Sequence, residues 1–503
     1  MSQETTKLDA MIRPSADARA VRPLIEEVPP WHDPWSVCQR LAHLPGMLYL
    51  DSAAYHPGLG RYSFVTADPF LWLESRGSHV RIETPGPDGE WSFRQEVGDP
   101  FTILARHLAA FTTEPVPGLP PFQGGAAGLF GYDLCHHVER LPRPRHDEFG
   151  VPDLAIGLYD WVIAFDQEGL AWIISTGLPE PRPRQRARRA LARLRQVQKL
   201  LRADDRPAPR SRRALTSLLQ TDLTPSYPVP GHSDLLSNFS RDDYLRTVQR
   251  AIDYIHAGDC FQVNLSQRLL APARLPPLEL YGRLRERNPA PFAGYFDLGD
   301  FVIASASPER FLKVNDGNVE TRPIKGTRPR GATPEEDEAC RRELLASPKD
   351  RAENVMIVDL LRNDLGRVCS YGSVQVEAVC RLETYRYVHH LVSEVRGRLR
   401  PGLGPVDLLR AAFPGGSVTG APKVRAMEII AELEPTSRGP YCGCLGYIGF
   451  DGSMDTNLLI RTFTAGRGWV QFPVGGGIVA DSTPEGEYAE TLHKAEGLLR
   501  ALS

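Results

Sequence analysis

The sequence predicts an α+β fold with mostly antiparallel sheet, and two observations carry that expectation. Between residues 24 and 180, short apolar runs alternate with glycine and proline turns, as in strands joined by tight connections. After residue 240, helix and strand signals alternate irregularly, without the strict βαβ units that a doubly wound parallel sheet needs. No internal repeat is present.

Met47-Leu48-Tyr49-Leu50, Tyr62-Ser63-Phe64-Val65 and Trp161-Val162-Ile163-Ala164-Phe165 read as strands. From Pro181 to Leu201 the period changes. Ala187, Ala190, Leu191, Leu194, Val197 and Leu201 recur at helical spacing, with arginines on the other faces. Those arginines predict a solvated helix face and not a nucleic-acid surface, because no aromatics interleave with them.

The chain divides into an N-terminal tail (1–23), an N-terminal α+β region (24–202), a linker rich in proline, serine and arginine (203–239) and a catalytic domain (240–503). Ser240-Arg241-Asp242-Asp243 opens the last with a capping-box-like pattern.

Composition narrows the function. With 503 residues, 42% apolar and 24% charged, the chain has core for several domains. A net charge of -3 argues against nucleic acid and anionic membranes. No apolar run is long enough to span a bilayer, and the polar Met1–Arg22 segment is no secretory signal. Eight scattered cysteines without repeated Cys-x-x-Cys spacing predict reduced thiols in a cytoplasmic protein.

The chemistry is concentrated late in the chain. In Pro323-Ile324-Lys325-Gly326-Thr327, Lys325 stands between an apolar strand and a tight glycine turn. Apolar walls or a nearby cation would keep its amine partly neutral and nucleophilic. Glu309, in Ser307-Pro308-Glu309-Arg310-Phe311, offers a proton donor. Ser347-Pro348 begins a helix on which Asp350 and Glu353 share a face, ahead of a nearly continuous apolar stretch, Asn354–Leu361, that predicts burial. These carboxylates need either an arginine (Arg351, Arg362 or Arg367) or a metal.

A second helix, capped by Ser482 or Thr483, aligns Glu487 with Glu490. Two acidic faces could meet across a hard cation such as Mg²⁺. Gly475-Gly476-Gly477, placed after a strand, reads as either a tight turn or an anion-binding nest. Arg461 is a candidate fork for a carboxylate. Phe413–Lys423 is glycine-rich but lacks the Lys-Ser/Thr of a Walker A loop. Cys442-Gly443-Cys444-Leu445-Gly446 superficially resembles the nucleophile turn of glutamine amidotransferases, but Cys442 replaces its first glycine. A small strand residue is the better reading of Cys444.

Taken in order, Phe261–Ser266, Ser307–Phe311, Val358–Arg367, Gly415–Lys423 and Gly475–Glu490 closely resemble the chorismate-utilising enzymes. The family includes anthranilate synthase component I, isochorismate and salicylate synthases and aminodeoxychorismate synthase component I. The likeness is strong over residues 240–501. It is looser before that, through Leu50–Ala53, Gly60–Ser63 and Gly124–Tyr132.

The resemblance implies large antiparallel sheets forming a sandwich surrounded by helices. It also implies Mg²⁺ held by Glu353 and Glu490, with Glu487 close behind, and Glu309 as general acid. Tyr441, Arg461 and the backbone of Gly475 and Gly477 would orient the enolpyruvyl carboxylate. His390 and Ser417 would line the pocket, although His390 alone also suits a core histidine. Asp350 stands where relatives often carry glutamate and falls outside this set.

Anthranilate synthases usually carry alanine where this chain has Lys325, whereas the 4-aminating members carry Pro-Ile-Lys-Gly-Thr. The resemblance therefore implies a Lys325 covalent step and amination of chorismate at C4, toward 4-aminobenzoate and folate. Anthranilate or isochorismate synthesis is the alternative, and a non-catalytic regulatory subunit is the alternative of another class. No glutaminase motif is visible, so ammonia is expected from a separate glutamine amidotransferase subunit. The N-terminal region would be the place for a tryptophan, near Ser52.

Overall fold

The computed structural model describes residues 22–29, 33–54, 59–86, 90–203, 216–385 and 388–503. Most of the N-terminal tail and the first part of the linker lie outside these.

Two large sheets, antiparallel throughout their ladders, form the framework. Neither belongs to one half of the sequence. In the first, Leu48–Asp51 pairs with Phe292–Asp297. In the second, Gly125–Phe130 pairs with Cys444–Gly449. Both sheets thus join strands from the 24–202 and 240–503 regions. Residues 216–239 lie along the first sheet, contributing the short strands Tyr227–Pro228 and Leu236–Ser237.

The sheets pack face to face. Leu48, Phe64 and Ile303 of the first meet Ala127, Leu129 and Tyr447 of the second in one buried cluster. Burying each large side chain contributes roughly 1.5–3 kcal/mol. Helices cover both outer faces. Pro34–Leu41, Pro183–Arg202, Pro277–Arg287 and Pro484–Leu502 lie on the first. Pro100–Ala109, Pro348–Gly366 and Pro405–Ala412 lie on the second. The expected α+β sandwich within a helical shell is the observed architecture.

Strands Leu48–Asp51, Tyr62–Thr66 and Trp161–Asp166 fall where the apolar runs place them. The arginine-rich helix needs a correction. Ala190, Leu194, Val197 and Leu201 are buried, whereas Ala187 and Leu191 are exposed. Its arginine face is not wholly solvated either. Arg193 bonds Asp68 at 2.7 Å and Asp160 at 3.1 Å, and Arg189 bonds Asp160 at 3.2 Å. The Asp160 carboxylate is fully buried, and removing the partners of such a charge costs about 3–5 kcal/mol. These arginines fasten the helix to the sheet.

Candidate active site

Lys325 lies in the strand Ile324–Pro329, which pairs with Val388–Arg398. Ile324 stands opposite Val392 and Thr327 opposite His390, so two residues, Lys325 and Gly326, face the single residue Leu391. The glycine turn expected from the sequence is a bulge within a strand, a device that re-aims a side chain. Gly326 permits it with φ +83°, and a Cβ there would come 3.0 Å from Asp350 and Leu344.

Lys325 is half-buried, and among the described residues no hydrogen-bond acceptor meets its amine. The contrast with Lys423 is informative, since that lysine bonds both Asp364 and the carbonyl of Ala412. Desolvation lowers the Lys325 pKa. Glu353 pulls it up, Lys494 pushes it down, and Glu309 and Glu490 pull it up more weakly. Burial prevails.

Glu309 follows the strand Phe301–Ser307 and is 4% exposed. Burial raises its carboxyl to about 7, against the hydrogen bond from Ser417 and the charge of Lys325. Ser417 Oγ donates to Glu309 Oε1 at 2.7 Å, and Asn264 Nδ2 holds the Ser417 carbonyl at 2.9 Å. An acid poised near neutral pH therefore stands beside an amine biased toward neutrality.

The acidic helices arrive from two sides. Ser347 caps Pro348–Gly366 through the Asp350 amide, and Thr483 caps Pro484–Leu502 through Gly486. Ser482 instead donates to Glu487 Oε1 at 2.6 Å. The apolar stretch after Glu353 is buried along one face only, since Val355 is 51% exposed. Asp350 pairs with Arg328 at 3.3 Å, not with any of the three arginines that the sequence suggested. The bulge brings Arg328 over the helix start, a contact invisible in local spacing.

The glycine run also differs from expectation. Gly475, Gly476 and Gly477 lie inside the strand Trp469–Ile478, opposite Ser266, Leu265 and Asn264. They form neither a turn nor a nest. A Cβ on Gly476 would sit 2.8 Å from Glu487 Oε2 and 3.3 Å from Glu490 Oε1, and one on Gly477 would sit 2.0 Å from Gln262 Nε2. The glycines make room for these side chains. Among the described residues the ladder on the other edge of this strand ends at Gln471, which leaves the backbone beyond it outside the ladder on that side.

Burial raises Glu353 and Glu487, and the Glu490 charge adds to both shifts. Burial acts upward on Glu490 as well, but Lys494, bonded at 2.6 Å, together with Lys349 and Lys325, holds it lower. Among the described residues no three acids, histidines or cysteines converge as a metal cluster. The donor set still suits a hard cation. Among the described residues Glu487 Oε2 is buried without a hydrogen-bond partner, and Glu487 and Glu490 converge on Gly476.

His390 is buried, its Nδ1 lies 2.8 Å from Thr327 Oγ1, and burial and then Arg461 depress it to about 4. It is neutral at physiological pH. Arg461 takes a left-handed φ of +52°, a costly conformation for arginine. Arg461 is exposed as a whole residue and has no carboxylate partner among the described residues, yet desolvation lowers its guanidinium.

Tyr441 follows a loop packed under Arg438, whose guanidinium lies 5.7 Å from its ring. The Cys442 thiol is buried and pushed up to about 12, and Cys444 is a buried strand residue, so neither is a nucleophile. Local spacing did not single out Lys494, Lys349 or Gln262. Lys494 sits one helical turn after Glu490 and also bonds the Gly475 carbonyl at 2.9 Å, and that spacing could have found it. Among the described residues the buried Gln262 amide has no partner on either polar atom.

A separate cavity of about 690 Å³ opens beside Ser52, walled by Asp51, Tyr62, Arg310, Lys313 and Asp455. Among the described residues no helix is long and apolar enough to cross a membrane.

Comparison with known proteins adds four findings. The family model for chorismate binding enzymes matches residues 68–500. The chain is 42% identical over 464 residues to aminodeoxychorismate synthase component 1 of Salmonella typhimurium, covering 92% of this chain and 94% of that protein. It is 44% identical over 411 residues to anthranilate synthase component 1 of Thermus thermophilus, covering 81% and 84%. Among solved structures, anthranilate synthase component I from Streptococcus pneumoniae superposes with a TM-score of 0.70 at 34% identity, covering 87% and 92%.

Proposed function

The chain belongs to the chorismate-binding enzymes, and within that family we propose that it is the aminating subunit of an aminodeoxychorismate synthase, converting chorismate and ammonia to 4-amino-4-deoxychorismate. The observation that carries this reading is Lys325: a desolvated amine with no hydrogen-bond acceptor among the described residues, beside a carboxyl raised to about 7.

The chemistry balances in two displacements. The Lys325 Nζ lone pair forms a bond to ring C2, the double bonds shift, and the C4–O bond breaks. Glu309 supplies the proton with which the hydroxyl departs as water. Ammonia then bonds to C4, the double bonds shift back, and the C2–N bond breaks to release the lysine. Direct attack of ammonia at C2 would instead place nitrogen there, on the path to anthranilate.

Arg461, Tyr441 and the strand-edge backbone at Gly475 and Gly477 would orient the enolpyruvyl carboxylate. His390 and Ser417 would line the ring pocket, Ser417 through its bond to Glu309. Glu353 and Glu490, with Glu487, would hold Mg²⁺, which when bound supplies Lewis-acid stabilisation of charge on the ring carboxylate. Gly476→Ala tests that set. Its Cβ would displace the flexible tips of Glu487 and Glu490 without left-handed strain. Mg²⁺ affinity should fall roughly ten- to a hundredfold, with little change in melting temperature. Unchanged affinity by calorimetric titration would remove these carboxylates from the site.

The ammonia would come from a glutamine amidotransferase subunit in the cytoplasm, and the cavity beside Ser52 would take tryptophan. The test is a coupled assay with chorismate, Mg²⁺ and ammonium. We expect 4-aminobenzoate only after a lyase is added. Direct appearance of fluorescent anthranilate would sink the assignment.

A further inference from the structure

One buried charge outside the reacting groups touches several of the segments that carry them. Arg438 and Glu434 are 6% and 4% exposed. Arg438 Nε donates to Glu434 Oε2 at 2.8 Å, and Nη2 to Glu434 Oε1 at 2.7 Å. The same guanidinium reaches the Asn264 carbonyl at 2.8 Å and the Val418 carbonyl at 3.0 Å. Glu434 Oε1 also accepts from the Ser266 amide at 2.8 Å and its hydroxyl at 2.9 Å. A buried pair of this kind adds little net stability compared with apolar packing. Its planar fork, however, fixes several carbonyls in one geometry.

Those carbonyls flank the acid. Val418 follows Ser417, whose hydroxyl donates to Glu309, and Asn264 holds the Ser417 carbonyl. On the other side, the Tyr441 amide donates to the Arg438 carbonyl at 3.2 Å, and the rings of Tyr132 and Tyr441 lie 4.8 and 5.7 Å from the guanidinium. The loop is pinned from the N-terminal region. Asp133 Oδ2 accepts from Ser437 Oγ at 2.6 Å and from the Gly439 amide at 2.8 Å, on either side of Arg438.

We propose that Arg438, held by Glu434, is a positioning residue that sets Ser417 against Glu309 and Tyr441 against the substrate. It rests on the reading of Glu309 and Tyr441 given above. Lysine at this position would keep the charge but lose the fork, and could not serve Glu434 and both carbonyls together.

The test is a double-mutant cycle in the full-length chain, with chorismate, Mg²⁺ and ammonium. Arg438→Lys should lower kcat/KM on the order of 10²-fold, as misplacement by about an ångström does, and should raise KM through Tyr441. Ser417→Ala alone should cost roughly tenfold. The double variant should be little worse than Arg438→Lys, because the hydroxyl is already displaced. Additive losses would overturn the proposal. So would a variant that has only a lower melting temperature or fewer active molecules while KM stays at the wild-type value.

If Arg438→Lys does not fold, Glu434→Gln carries the same cycle, since it keeps the side-chain volume and an acceptor for Ser266. Failure of the functional reading would show separately, as a different product from the wild-type protein. The cycle can be measured on whichever product forms.

Discussion

Lys325→Ala should lower formation of 4-amino-4-deoxychorismate by on the order of 10³-fold or more, the scale expected when a covalent nucleophile is removed. The fold should survive. The Lys325 amine bonds no acceptor among the described residues, and its removal relieves a desolvated group, so the melting temperature should hold or rise. Mg²⁺ binding should also persist, because Glu353, Glu487 and Glu490 are untouched. With the amine gone, ring C2 is open to ammonia, and whatever product remains should carry nitrogen there. Intact-mass analysis gives an independent reading. Wild-type protein mixed with chorismate and no ammonia should gain the mass of chorismate less one water, and the variant should gain nothing. An unchanged rate of 4-amination in the variant would eliminate the covalent step.

Glu309→Gln should reduce turnover roughly 10²- to 10⁴-fold, the usual contribution of a positioned acid. The wild-type pH profile should report the same group. Glu309 must be protonated to act, so kcat/KM should fall as pH rises through about 7. In the variant that limb should disappear from the residual activity. Stability should fall over the same pH range. A carboxyl raised in the folded state binds its proton more tightly there than in the unfolded chain. Its contribution is fully present below the unfolded value near 4.5 and is lost as pH rises through about 7. Above that pH the wild type carries a buried carboxylate whose cost is on the order of 3 kcal/mol. Glu309→Gln lacks that cost, so it should equal or exceed wild-type stability at pH 8, as read by denaturant unfolding. A variant less stable than wild type at pH 8, or a limb that survives the substitution, would remove Glu309 as the group with the raised pKa.

The legible parts of the fold were those with a local cause. Short apolar runs between glycine and proline turns placed Leu48–Asp51 and Trp161–Asp166, and serine or threonine before proline placed both acidic helices. Parts that depend on a distant partner were not legible. Gly475–Gly477 read as a turn or a nest because missing side chains look alike in turns and strands. What distinguishes them here is Glu487 and Glu490, brought back by the next helix. Lys325 read as the end of a strand because the bulge exists only opposite Leu391. Arg328, far from Asp350 in sequence, is its partner only through that bulge.

Weak periodicity hid another element. The helix Pro334–Ala346 buries only Leu344 and gave no apolar stripe, although Thr333 and Glu336 form its capping box. In the candidate site, the carboxylates and the lysine were visible as residue types at helical or strand positions. Lys494 and Gln262 were not, since their significance lies in what they meet: the Glu490 carboxylate, and the strand backbone at Gly477.

On the proposed reading, the Lys325 amine sets this chain's product apart from anthranilate, and the place where nitrogen enters the ring reads its effect directly. Chorismate, Mg²⁺ and ¹⁵N-ammonium should be incubated with the wild-type protein and the product examined by NMR. The account predicts ¹⁵N bonded to C4. ¹⁵N bonded to C2 would contradict it.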